Sequence, residues 1–222
     1  MKKTNALMIV VVVICCGVMA VVDGVIQPGY WIKSGIKLVL FLAVPLILAA
    51  IDKNISLKPL LRFDKKSFGL SASVGVGVFA VILGGYFALR GVFDFSGIVG
   101  SLTEGAGVGR HNFVFVAIYI AVVNSFLEEF FFRGFAFLTL TRCGSVRFAY
   151  VFSAAAFSLY HVAMMIGWFD LELWLLVMAG LCAGGLIFNY FNRKSGTVYP
   201  SWLIHMCANL AINTVGIILI YG

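Results

Sequence analysis

The stretch Glu128-Glu129-Phe130-Phe131-Phe132-Arg133 sets two adjacent carboxylates and an arginine in the middle of a run, residues 113–140, that carries no other charge. Such a run suffices to cross a bilayer, which needs about 20 apolar residues. An ionisable side chain at the centre of an inserted helix costs at least about 2.5–3.5 kcal/mol. Exposure to lipid is therefore a poor setting for these groups, and an exposed surface helix would leave the phenylalanines in water. The stretch reads as the polar part of a helix packed inside a membrane bundle, and as the place to look for function.

The rest of the chain agrees. Of its 222 residues, 62% are hydrophobic and 11% charged, and the mean hydropathy is +1.06. Soluble domains run at about 45–50% apolar and about 25% charged. The expected fold is all-α, a polytopic membrane helix bundle of about seven transmembrane helices. The net charge of +7 reflects topology, because the basic residues gather in short turns, so nucleic acid is not an expected partner. Cys15, Cys16, Cys143, Cys182 and Cys207 lack metal-ligand spacing and mostly fall in apolar runs. They read as small hydrophobes with no disulfide framework.

Working outward, the first apolar run is 6–22, behind Lys2 and Lys3. It has signal-peptide grammar, with Val18-Met19-Ala20 as a weak cleavage site, but is long enough to be kept as a span. A second span covers 36–51. Residues 52–66 carry Lys53, Lys58, Arg62, Lys65 and Lys66, with Leu57, Leu60, Leu61 and Phe63 set to lie along the membrane interface. The third span, 68–89, is dotted with Ser71, Ser73, Gly75, Gly77, Gly84 and Gly85, small residues that let helices approach closely. A glycine-rich connector, 90–112, divides this N-terminal region (1–112) from a core of four spans (113–222). Those spans are the acidic one, 148–166, 173–191 with Gly180 and Gly184 as a packing pair, and 200 onward. Seven spans put eleven basic residues in the turns on the side of the N-terminus. Lys33, Lys37, Arg90 and Arg110 remain on the other side. That bias places the N-terminus in the cytoplasm. No inverted repeat and no Pro- or Gly-broken helix at the polar level is visible.

Polar groups that packing does not need recur on three spans: Glu128, Glu129 and Arg133; His161; His205 and Asn209. Fourteen residues separate Glu128 from Arg142, and fourteen separate His161 from Arg147. Both therefore sit ~21 Å from the same side of the bilayer at the helical rise. Asn209 lies at ~22 Å above Lys194 if the chain is helical throughout, with His205 one turn lower. Glu129 and Arg133, four apart, share a face and can pair. Glu128 lies ~100° round the helix and is free to face a cavity. Phe157 precedes His161 by one turn. His111, in the connector, reads as an ordinary solvated residue.

These residues resemble the motifs of the CPBP family, the CAAX-protease and bacteriocin-processing intramembrane endopeptidases. EExxxR matches Glu128-Glu129 through Arg133, FxxxH matches Phe157 and His161, and HxxxN matches His205 and Asn209. The resemblance covers roughly residues 115–215. It implies hydrolysis of a peptide bond in a membrane-associated protein or peptide, within a lipid bilayer, here the bacterial cytoplasmic membrane. Glu128 with His161 would activate water, since a carboxylate withdrawn from water becomes a better base. His205 and Asn209 would donate to the oxyanion, with Glu129, Arg133 and Phe157 supporting the site. The implied chemistry needs no cofactor. The alternative is a zinc site of Glu128, His161 and His205 with a water at the open position. Outside this resemblance, buried Glu, His and Arg also mark proton- or ion-coupled transporters, and a bacteriocin-immunity protein acting by binding alone is a third class.

Overall fold

In the structure, a computed structural model, residues 2–100, 107–166 and 168–222 are described. Part of the glycine-rich connector and the side chains of Lys2 and Cys143 lie outside the described residues. Among the described residues there is no strand, and seven helices are long and apolar enough to span a membrane. They are α1 Lys3–Ile26, α2 Tyr30–Ile51, α3 Lys65–Leu89, α4 Phe113–Arg142, α5 Val146–Met164, α6 Leu171–Ser195 and α7 Tyr199–Tyr221. The chain is an integral membrane helix bundle.

Local chemistry sets the helix ends. Asp64 caps α3 by accepting the Ser67 N–H at 3.1 Å, and Ser145 caps α5 through the Phe148 N–H at 3.4 Å. Each satisfies an orphan donor of a first turn. Gly196, at φ 76, closes α6 in the left-handed conformation that glycine adopts without strain. Pro200 stands in the first turn of α7, where its missing N–H costs nothing. Past the end of α2, Asp52 accepts from the Asn54 N–H at 2.9 Å and from the Thr4 hydroxyl at 2.8 Å. These bonds hold its carboxyl below the usual carboxylate range.

The acidic span is the centre of the bundle. Residues 127–140 are buried without interruption, as expected of a helix apolar all round. Phe131 stacks on Phe41 of α2 with ring centroids 4.2 Å apart, and Phe132 meets Phe157 of α5 edge-on at 5.4 Å. One apolar core joins Met8 and Met19 of α1 and Phe41 of α2 to Phe157 and Tyr160 of α5 and Ile204 of α7. The first two N-terminal spans, α1 and α2, are thus packed against the acidic span directly, while α3 packs along α7. Val10, Val81 and Leu175 point outward as exposed apolar residues, the surface a bilayer requires.

Four expectations change in three dimensions. Lys37 is not an outer-loop charge: it is buried in α2, which begins at Tyr30. Leu57 and Leu60 do not lie along the interface. They turn into the bundle around a short 3₁₀ turn, Lys58–Leu61, where the Leu60 carbonyl accepts the Val198 N–H at 3.0 Å; Leu61 and Phe63 stay exposed. Gly180 and Gly184 face open space, and the close approach is made by Gly185, where an added Cβ would stand 3.2 Å from Cα of Ala154. The fourth departure concerns winding. α4 is not a regular α-helix at the polar level but runs in the wider π form over Ile120–Asn124 and again over Glu129–Thr139. The Thr139 hydroxyl donating to the Gly134 carbonyl, five residues back, at 3.1 Å follows this winding. On α3 the small-residue reading holds at Ser71, which is fully buried, and at Gly75, where an added Cβ would come 2.7 Å from Sγ of Cys207; Gly77, Gly84 and Gly85 face open space.

Candidate active site

Glu128 is 2% exposed, and its two carboxylate oxygens have different surroundings. Oε1 accepts from Nδ2 of Asn124, one turn earlier on α4, at 3.0 Å. It also accepts from Nζ of Lys37, on α2, at 3.1 Å. Lys37 donates in addition to Oδ1 of Asn124 at 2.7 Å, closing a triangle of three side chains. Oε2 accepts no hydrogen bond among the described residues. It faces Nε2 of His161 at 3.7 Å and Nε2 of His205 at 3.8 Å.

Both rings are oriented from behind. Nδ1 of His161 lies 2.7 Å from the Phe157 carbonyl. A carbonyl only accepts, so this nitrogen carries the proton. Nδ1 of His205 lies 2.9 Å from Oε1 of Glu129, and the carboxylate likewise takes the role of acceptor. Rings held in this way turn both Nε2 atoms toward Glu128. Phe157 also walls the site with its ring, 4.6 Å from His161 and 5.8 Å from His205. Phe188 stacks on His205 at 5.5 Å.

The second carboxylate has a different occupation. Glu129 is fully buried, and Nη1 of Arg133 stands 3.0 Å from its Oε1, the pairing expected from their spacing. The guanidinium lies over the Phe157 ring at 3.9 Å and the Phe188 ring at 4.9 Å. Its contact with Glu129 is one of charge, without hydrogen-bond alignment, and the aromatic faces supply the rest. Asn209, one turn beyond His205 on α7, is held by α4. Its Nδ2 donates to the Ile120 carbonyl at 3.2 Å, in a series that includes Asn213 to Ala117 at 2.9 Å and Trp202 to Val122 at 3.0 Å. These donors of α7 take up carbonyls of α4 in and beside its first π-wound segment. His111 is exposed, as expected of the connector.

Sequence reasoning missed Lys37 and Asn124. Asn124 carried a signal, since it precedes Glu128 by four residues on the same helix. Lys37 carried little: it sits at the edge of an apolar run and read as a flanking charge.

Residues 110–211 match the family model described as Type II CAAX prenyl endopeptidase Rce1-like. This segment belongs to that family. The matched segment contains Glu128, Glu129, Arg133, Phe157, His161, His205 and Asn209, and excludes Lys37. No curated protein and no solved structure gives a significant match. At the level of the family, the domain is that of a peptidase whose substrate is a membrane-associated protein.

Glu128, His161 and His205 also bear on zinc. A carboxylate oxygen and two imidazole nitrogens suit that ion, and the Nδ1 bonds to Phe157 and Glu129 are of the kind that metal-ligating histidines make. Among the described residues, no group of three or more His, Cys, Asp or Glu side chains is spaced to close on one ion. A zinc ion held there would supply a polarised water and a Lewis acid.

Proposed function

We propose that the chain is an intramembrane endopeptidase in which Glu128 acts as the general base. One observation supports this above the others: Oε2 of Glu128 is buried, takes part in no hydrogen bond among the described residues, and faces two imidazole nitrogens. That geometry suits a water held between a carboxylate and a ring. Oε2 takes a proton from the water as its oxygen bonds to the scissile carbonyl carbon, and the carbonyl π pair moves onto oxygen. His161, oriented by the Phe157 carbonyl, holds the water through Nε2. His205 donates to the oxyanion through Nε2–H, while its Nδ1–H donates to Glu129 at 2.9 Å, which orients the ring as the carboxylate behind a catalytic histidine does elsewhere. Asn209 spends one amide proton on the Ile120 carbonyl and keeps the second for the oxyanion. The proton on Glu128 then passes to the leaving amine as the carbon–nitrogen bond breaks. Glu129, Arg133 and Phe157 hold the rings and α4 in register.

The reading sets the chain in a bacterial cytoplasmic membrane, N-terminus inside, with a membrane-associated peptide or protein as substrate. Mass spectrometry of membrane peptides from cells with wild-type chain and with Glu128→Gln tests it. Peptides released only by the wild type are expected, and identical peptide sets from both would refute the assignment. The metal-free form is favoured because the Lys37 ammonium, 3.1 Å away, already balances the charge of Glu128. Purified protein in detergent should therefore keep its activity after exhaustive chelation. Loss on chelation with recovery on added zinc would transfer the water to a metal held by Glu128, His161 and His205, and leave the peptidase standing.

A further inference from the structure

The family-matched segment accounts for one buried charge pair and leaves the other half-made. Glu129 finds Arg133 on its own helix at 3.0 Å. The counter-charge of Glu128 comes from Lys37, outside residues 110–211, on a span with no motif of its own. Lys37 is 8% exposed. Among the described residues, Glu128 is the carboxylate within ion-pair distance of Lys37, and Asp23 senses the same ammonium from farther off. Asp23, the other acid of the N-terminal spans near it, is paired at 3.4 Å with Lys33, one turn back on α2. The remaining neighbour is the Tyr160 ring, 5.2 Å from Nζ. Burying an ammonium in a membrane helix is costly, and here it is spent on one oxygen of one carboxylate.

We infer that Lys37 is a positioning residue of the active site: with Asn124 it commits Oε1 of Glu128 to fixed bonds and reserves Oε2 for the proton of the attacking water. The inference rests on the endopeptidase reading and extends it to the N-terminal spans, without which the site is incomplete. A carboxylate held at one oxygen by two donors cannot exchange its oxygens or turn its plane. Its second oxygen then stays aimed at Nε2 of His161 and of His205. The triangle with Asn124 excludes a bare charge-balancing role, because Nζ bonds to the amide oxygen at 2.7 Å and to the carboxylate at 3.1 Å, and the amide in turn bonds to the same carboxylate oxygen at 3.0 Å. Removing Lys37 frees the carboxylate to rotate, so turnover falls through misplacement of the base.

The test uses isolated membranes carrying the full chain, and measures the peptides whose release depends on Glu128, at equal amounts of folded protein. Lys37→Met should lower their release on the order of 10²-fold, the scale for a misplaced reacting group. A rescue arm places Lys37→Cys in a chain freed of its five native cysteines, with intact mass confirming alkylation. Treatment with 2-bromoethylamine, which rebuilds an ammonium at nearly the length of lysine, should restore release, whereas iodoacetamide, which leaves a neutral amide, should not. If Lys37→Met yields too little folded chain, Lys37→Met/Glu128→Gln should regain the yield, because both charges are gone; no regain would mean that Lys37 serves packing alone and would overturn the inference. Release within about twofold of wild type in Lys37→Met, with loss in Glu128→Gln, overturns it as well. So does equal restoration by both alkylating agents. If no peptide depends on Glu128, the endopeptidase reading falls and this inference falls with it.

Discussion

At the scale of single residues, neighbouring glutamates of one type have separate occupations because different partners reach them. Glu129 is enclosed by Arg133 and His205, at 3.0 and 2.9 Å, with no exposed surface. Converting it to an amide leaves Arg133 as a buried charge resting on aromatic faces alone. Glu129→Gln is expected to lower stability by ~3–5 kcal/mol, the cost of breaking a buried pair from one side. Glu128→Gln also leaves a buried charge, that of Lys37, but is expected to cost less. Lys37 keeps its bond to Asn124 at 2.7 Å, and the new amide still offers an oxygen. Thermal unfolding in detergent ranks the two variants, and equal losses would remove the division of roles.

At the scale of elements, the identity of the polar helix and its winding are separate matters. The periodicity of α4 marks it as a span, yet over Glu129–Thr139 it is π-wound, a form that recurs at functional sites. The backbone groups it leaves are met from outside: the Ser153 hydroxyl donates to the Phe132 carbonyl at 2.8 Å. Packing of α6 on α5 then depends on one glycine among several. A side chain at Gly185 would meet Cα of Ala154 at 3.2 Å and Nη2 of Arg133 at 3.4 Å, while Gly184 has open space. Gly185→Val is expected to destabilise by ~1–3 kcal/mol or more, the range for overpacking, and Gly184→Val to leave the folded yield near wild type. Size-exclusion profiles of the two in detergent make the comparison, and a tolerant Gly185 would show that α5 and α6 can part.

At the scale of the whole molecule, burial of Lys37 sharpens the topology. Removing it from the far side changes the basic balance from eleven against four to eleven against three. The bias still directs the N-terminus inward. A reporter fused after Gly222 is expected outside, and one inserted near Lys58 in the cytoplasm. The opposite pattern would invert the side from which substrate and water reach Glu128.

The sequence by itself determined the bundle, its seven spans and the membership of residues 110–211 in a peptidase family. Hydropathy and helical spacing are local properties, readable along one chain. Hence Glu129–Arg133, four apart on one helix, was legible, as was the convergence of Glu128 and His161, each fourteen residues from a basic turn, with His205 one turn lower. Only the tertiary structure decided which oxygen of Glu128 is held and which is open. It also decided that Lys37 crosses from α2 to hold it, and that Gly185 rather than Gly180 or Gly184 sets the approach of α6. The physical reason is that these outcomes depend on which faces of distant helices meet. A lysine at the edge of an apolar run has the same spacing and hydropathy whether it reaches toward the headgroups or into the bundle. Its direction is set by the rotation of α2 about its axis, fixed in turn by Phe41 stacking on Phe131 at 4.2 Å.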